Sequence, residues 1–119
     1  MATNHYEGGC HCGAVRYEAD LDLSGDIVEC NCSHCEAKGF LLTFTGANSF
    51  TLKQGADKLT EYTFNKHRIR HQFCSVCGVQ SFAYGKRPDG GDMVAINVRC
   101  LDGVVLDALK RAPFNGRAM

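Results

Sequence analysis

The chain has 119 residues, 45% apolar and 22% charged, the balance of a single globular domain spanning residues 1–119 rather than of a disordered or fibrous chain. Thirteen basic side chains oppose thirteen acidic ones, so no net field draws in nucleic acid or an anionic membrane. No apolar run approaches the roughly 18 to 20 residues of a membrane span, and His5, Glu7, Arg16, Glu18 and Asp20 interrupt any secretion-type hydrophobic segment, so a soluble, cytoplasmic protein is expected.

Along the chain, apolar and polar residues alternate with period two, the mark of half-buried strands. Val15, Tyr17 and Ala19 share one face of the first such segment. After a turn at Ser24-Gly25-Asp26, the stretch 33–38 reads as a short helix. Phe40, Leu42 and Phe44 then line up in a second strand, closed by Gly46-Ala47-Asn48. Beyond the turn Gly55-Ala56-Asp57 come strands carrying Tyr62 with Phe64 and Phe82 with Tyr84. Pro88-Asp89-Gly90-Gly91 turns the chain into a strand of Val94, Ile96 and Val98. Asp102-Gly103 precedes a second short helix, expected at 106–111. Many short strands with close turns predict an all-β sandwich or open barrel of antiparallel sheets with little helix.

The unusual feature is eight cysteines. Without a secretory signal they would stay reduced, and clustered reduced cysteines read as metal ligands. Three groups occur: Cys10-His11-Cys12-Gly13, Cys30-Asn31-Cys32-Ser33-His34-Cys35, and Cys74-Ser75-Val76-Cys77-Gly78, with Cys100 alone. In an extended segment, residues two apart project to the same side, so a C-x-C pair can grip one ion. C-x-x-C closes a tight turn whose amides point at the thiolates, and Gly78 tolerates the backbone dihedrals that such a turn requires. Four thiolates satisfy a tetrahedral structural zinc. Spacing leaves two partitions open. One joins Cys10 and Cys12 to Cys74 and Cys77, leaving Cys30, Cys32 and Cys35 together. The other joins Cys32 and Cys35 to Cys74 and Cys77, leaving Cys10, Cys12 and Cys30.

The segments Gly9-Cys10-His11-Cys12-Gly13-Ala14-Val15-Arg16-Tyr17, Cys30-Asn31-Cys32-Ser33-His34-Cys35 and Phe73-Cys74-Ser75-Val76-Cys77-Gly78 resemble the glutathione-dependent formaldehyde-activating enzyme family, over residues 8–119. Tyr62-Thr63-Phe64-Asn65, Gly78-Val79-Gln80-Ser81-Phe82, Cys100-Leu101-Asp102 and Phe114-Asn115-Gly116 look like its centromere protein V branch. The resemblance implies a β-tent fold and the first partition. Cys10, Cys12, Cys74 and Cys77 would then hold a structural zinc. Cys30, Cys32 and Cys35 would hold a catalytic one with its fourth position open to water or substrate. The implied reaction joins glutathione and formaldehyde to S-hydroxymethylglutathione, which makes the enzyme a carbon–sulfur lyase. Three thiolates and one Zn²⁺ leave a single net negative charge, a poor hydroxide generator but a good host for a soft thiol.

Other residues are read on their own chemistry. Lys66, His67, Arg68, Arg70 and His71 form a basic cluster, read first as a solvated hairpin and second as a cationic rim for glutathione carboxylates. His11 should point away from the ion between its flanking cysteines, and His34 is a candidate proton shuttle, each weighed against a supporting or exposed histidine. Ser33 is a candidate hydrogen-bond donor to a thiolate. Cys100 is expected to be a buried thiol rather than a fourth ligand, and Phe40, Phe44, Phe64, Phe73 and Phe82 to pack the core, with one or two of them left to line the mouth of the second site. The competing function is a non-catalytic zinc module for a protein or nucleic-acid partner. A third is a redox or zinc sensor built on Cys30, Cys32 and Cys35.

Overall fold

The computed structural model describes residues 3–64, 68–87 and 89–115. Ten strands and one short helix follow in chain order: β1 (Asn4–Gly9), β2 (Arg16–Leu21), β3 (Ile27–Cys30), α1 (Ser33–Lys38), β4 (Leu42–Gly46), β5 (Phe50–Gln54), β6 (Leu59–Tyr62), β7 (Arg70–Cys74), β8 (Gln80–Lys86), β9 (Asp92–Asn97) and β10 (Arg111–Phe114). They form a three-stranded sheet, β1-β2-β5, and a seven-stranded sheet, β10-β3-β4-β9-β8-β7-β6. This is the all-β architecture of short sheets with little helix that the sequence predicts. One pair departs from the expected antiparallel pattern: β10 runs parallel to β3. No described helix is long and apolar enough to cross a membrane.

Period-two alternation explains the core. Along β2, Tyr17, Ala19 and Leu21 are buried while Glu18 and Asp20 turn outward. From the large sheet, Phe82 of β8 and Val94 and Ile96 of β9 meet them. The Tyr17 ring packs edge-on against Phe82 at 5.7 Å, and Phe50 lies 4.9 Å from Phe82. Each side chain of this size contributes roughly 1.5–3 kcal/mol through burial. Gly9 permits the close return of the chain after β1, because a Cβ there would overlap the Val15 carbonyl oxygen. That return is fixed by Cys10 N–H donating to Val15 O at 3.1 Å.

The same alternation gives the large sheet a second apolar face. On β9, Val94 and Ile96 enter the core, while Met93, Ala95 and Asn97 line a cavity on the opposite side. On β4, Thr43 is buried and Leu42 and Phe44 join that cavity. Phe40, Leu42 and Phe44 therefore share a face as expected, but it is the cavity face, and Phe44 is 46% exposed.

Two element boundaries are corrected. The helix expected at 106–111 is a single 3-10 turn at Leu106–Ala108, after which the chain becomes β10. Pairing with β3 wins: Ile27 N–H donates to Lys110 O at 2.8 Å and Asn31 N–H to Phe114 O at 3.0 Å. Pro113 is accommodated because β10 is an edge strand. Val98 lies beyond β9 in a 3-10 turn, Val98–Cys100, whose start is capped by Asn97 Oδ1 accepting from Arg99 N–H at 3.2 Å.

Candidate metal centres and the adjoining cavity

Two loops from different sheets build the first cysteine cluster. Cys10 and Cys12 follow β1, and Cys74 ends β7 with Cys77 in the turn before β8. In that turn Gly78 takes φ +79° and its N–H donates to Cys74 O at 2.8 Å. The four sulfurs lie within 4.8 Å of one another, with Cys10–Cys12 at 3.6 Å and Cys12–Cys74 at 3.7 Å. Sulfurs bonded at about 2.3 Å to one tetrahedral ion are separated by about 3.8 Å, so these four could hold zinc with little movement. Backbone amides support them: Val15 N–H donates to Cys10 Sγ and Val76 N–H to Cys74 Sγ, both at 3.3 Å.

The thiols so gathered titrate apart. The Val79 amide, against burial, draws Cys77 down to about 6, with amide and thiol contacts from its neighbours adding to the pull. Cys12 receives a downward pull from the Ala14 amide, but burial and the thiols of Cys10, Cys74 and Cys77 outweigh it and push it up to about 11. His11 is exposed and outside the group of converging sulfurs.

The second cluster is local. Cys30 ends β3, Cys32 caps the N-terminus of α1, and Cys35 lies within that helix. Their sulfurs also lie within 4.8 Å of one another. The Cys32 cap accepts from Cys35 N–H at 3.3 Å, and Cys30 Sγ accepts from Cys32 N–H at 3.5 Å. These described donors are backbone amides; Ser33 itself is exposed. Burial opposes ionisation of Cys32, but the Cys35 amide, the Cys35 and Cys30 thiols and the His34 amide bring it below the usual thiol range. Burial, first, and the other two cysteines push Cys35 well above that range. The structure thus brings together the cysteines of the first partition, not those of the second.

Cys30, Cys32 and Cys35 line a cavity of about 340 Å³. Phe40, Phe44, Phe64 and Phe114 supply much of its wall, with Leu42, Met93 and Ala95. Of the five phenylalanines expected in the core, Phe82 packs there as expected and Phe40 is buried, while Phe44 and Phe64 line the cavity, more than a core role alone allows. Phe40 is buried but also lines the cavity, Phe82 stands opposite Ile96 on the core face, and Phe73 is half-buried with Lys38 Nζ 5.6 Å from its ring centre.

His71, first read as part of a cationic cluster, is 5% exposed and lines the cavity. Burial, then His34 and Lys38, lowers it to about 4, so it is neutral at pH 7. Its Nδ1 accepts from Gln80 Nε2 at 2.9 Å. Among the described residues, His71 Nε2, Gln80 Oε1 and His34 Nδ1 have no hydrogen-bond partner. The His34 ring sits 4.1 Å from His71 and 5.2 Å from Phe64, and burial, with Lys38, lowers its pKa as well. Of the rest of that basic cluster, Arg68 lines the cavity, and Arg70 stacks 4.9 Å over Tyr84 and pairs with Glu61 at 3.5 Å. Lys66 and His67 lie outside the described residues. Sequence alone missed the cavity role of His71 and Gln80. The signal lay in Arg70-His71 at the start of β7, where adjacent side chains take opposite faces.

Cys100 is outside both clusters, half-buried, its thiol 3.8 Å from Gln80 O, and burial, then Cys10 and Cys77, raises it to about 11.

A family model described as "Glutathione-dependent formaldehyde-activating enzyme" matches residues 5–113. A crystal structure of a Rhodobacter sphaeroides protein is similar at 30% sequence identity and a TM-score of 0.76, covering 89% of this chain and 99% of that one.

Proposed function

The chain belongs to the glutathione-dependent formaldehyde-activating enzyme family, and on that premise we propose that it is a zinc-dependent carbon–sulfur lyase. It reversibly joins the thiol of glutathione to formaldehyde or a similar small electrophile. Cys10, Cys12, Cys74 and Cys77 would hold a structural zinc, and Cys30, Cys32 and Cys35 a catalytic one. The observation that carries this reading is placement: Cys30, Cys32 and Cys35 line the cavity, and the other four cysteines are not among its lining residues.

When bound at the second cluster, zinc supplies a soft Lewis acid that favours the thiolate form of an incoming thiol. The chain's own residues do the rest. Amides of Cys32 and Cys35 hold the Cys30 and Cys32 sulfurs in place. Phe40 and Phe64 keep water from the reacting groups, which strengthens every polar contact inside. Arg68 offers a guanidinium to a glutathione carboxylate. Eight cysteines free of disulfides suit a reducing compartment such as the cytoplasm.

Native mass spectrometry with and without glutathione tests the reading. The expected protein carries two zincs, with glutathione joining or displacing only one. Cys30→Ser should keep one zinc and lose the glutathione effect and the catalysed exchange of S-hydroxymethylglutathione. A single zinc with no adduct, and no exchange, would sink the lyase reading and favour a non-catalytic zinc module.

A further inference from the structure

The cavity is larger and less polar than the smallest aldehyde requires. A water molecule occupies about 30 Å³ of liquid, and formaldehyde has only two heavy atoms, whereas about 340 Å³ falls among cavities that enclose drug-sized ligands. Ala95 keeps the space open: it pairs with Phe44 on one side and with Ala83 on the other. Among the described lining residues Arg68 alone is charged, and none is a carboxylate. Glutathione carries two carboxylates and an ammonium at neutral pH, and moving them between phenylalanine rings would strip their hydration without partners. Its charged body suits the Arg68 end, with only the thiol reaching inward. The apolar interior is left to the other reactant.

One polar contact inside fits a carbonyl. With Gln80 Nε2 donating to His71 Nδ1, the imidazole carries its proton on Nε2, a buried donor with no described partner. Such a donor is costly to leave unpaired, and because it has almost no surface open to solvent, an acceptor oxygen from a ligand satisfies it once the packed ring turns toward the cavity.

Resting on the lyase reading, we propose that the electrophile is an aldehyde with an aryl- or alkyl-sized apolar body, seated on the phenylalanine wall with its oxygen received by His71. In the reaction the thiol sulfur forms a bond to the aldehyde carbon, and the carbonyl π pair moves to oxygen. The proton released by the thiol ends on that oxygen. The product is a hemithioacetal, and no oxidant or reductant is consumed.

The test uses the full-length zinc-loaded protein and 3-phenyl-1-propanol, an unreactive alcohol of the same shape, followed by calorimetry. Glutathione adduct exchange with 3-phenylpropanal and with formaldehyde is followed in parallel by NMR. Saturable binding of the alcohol is expected, weakened at least tenfold by Ala95→Phe, which fills the cavity. Phe44→Asp, at an exposed wall position, should weaken it similarly without a packing penalty. Exchange should be accelerated more for 3-phenylpropanal than for formaldehyde. Accelerated formaldehyde exchange with no alcohol binding, or binding unaffected by both variants, overturns the apolar aldehyde and leaves the lyase reading standing. Alcohol binding with no accelerated exchange for either aldehyde overturns the lyase reading and the aldehyde assignment with it.

Discussion

The two cysteine clusters assemble the same side chain in different ways. The first draws its ligands from loops on different sheets, Cys12 and Cys74 being 62 residues apart in sequence, and its sulfurs sit where the small sheet meets the large one. The second spans Cys30 to Cys35, one strand end and one turn of helix, and adjoins a cavity. An ion in the first closes a long loop, so its binding energy is folding energy. An ion in the second orders few residues and leaves the sheet pairing alone. A cluster that joins distant chain suits stability, and one that is locally preorganised beside a cavity suits chemistry.

The largest expected effect tests this contrast directly. Cys74→Ser should abolish the first site. Structural zinc in small domains contributes about 10–16 kcal/mol, as much as the whole stability of a typical domain, about 5–15 kcal/mol. Circular dichroism should show no cooperative melt, and a strong chelator should have the same effect on the unmodified chain. A normal melt for Cys74→Ser would break the comparison at its first term.

Acid sharpens it at the second cluster. An unfolded histidine titrates near 6.5, whereas burial and the neighbouring His34 and Lys38 hold folded His71 down to about 4. Between those values the unfolded chain binds a proton that the folded one refuses. The stability is therefore fully present above about pH 6.5 and lost as pH falls toward 4. The difference amounts to about 3 kcal/mol at most. His71→Phe should lose melting temperature less steeply than the parent across that window. Parallel curves would remove His71 from the account.

Cys30→Ser should cost about 1 kcal/mol, a few degrees of melting temperature, with the zinc count falling by one. A collapse as deep as that of Cys74→Ser would make the second cluster a second staple. The smallest effect belongs to the exposed pair of Arg16 and Asp102, beside the first cluster. Asp102→Asn should cost no more than about 1 kcal/mol, less at high salt. A larger loss would show that this pair helps to hold the Cys10 loop.

Much of this was legible in the residues. Ser33 to Lys38 form a helix as expected, since Cys32 can cap it and Gly39 can end it. Cysteine spacing marked all seven candidate ligands but left their partition open, because pairing across a sheet is fixed by strand register that spacing does not encode. Periodicity put Phe40, Leu42 and Phe44 on one face without saying that the large sheet has two apolar faces. Strand β7, Arg-His-Gln-Phe-Cys, is too polar to stand out, yet His71 and Gln72 are buried in it. Only tertiary packing turns that histidine from a surface cation into a neutral ring. β10 was hidden for a related reason: its register on β3 comes from a segment far along the chain.

That parallel pairing also imposes an order on synthesis. Phe114 stands opposite Cys30 in the register and forms part of the wall around the second cluster, whereas Cys74 and Cys77 are translated well before it. The first cluster can therefore close on a chain still emerging from the ribosome. Cys30, Cys32 and Cys35 wait, without their last wall, until Arg111 to Phe114 arrive and pair. During that interval the wall around them lacks one side, and the last strand of the sheet is what completes it.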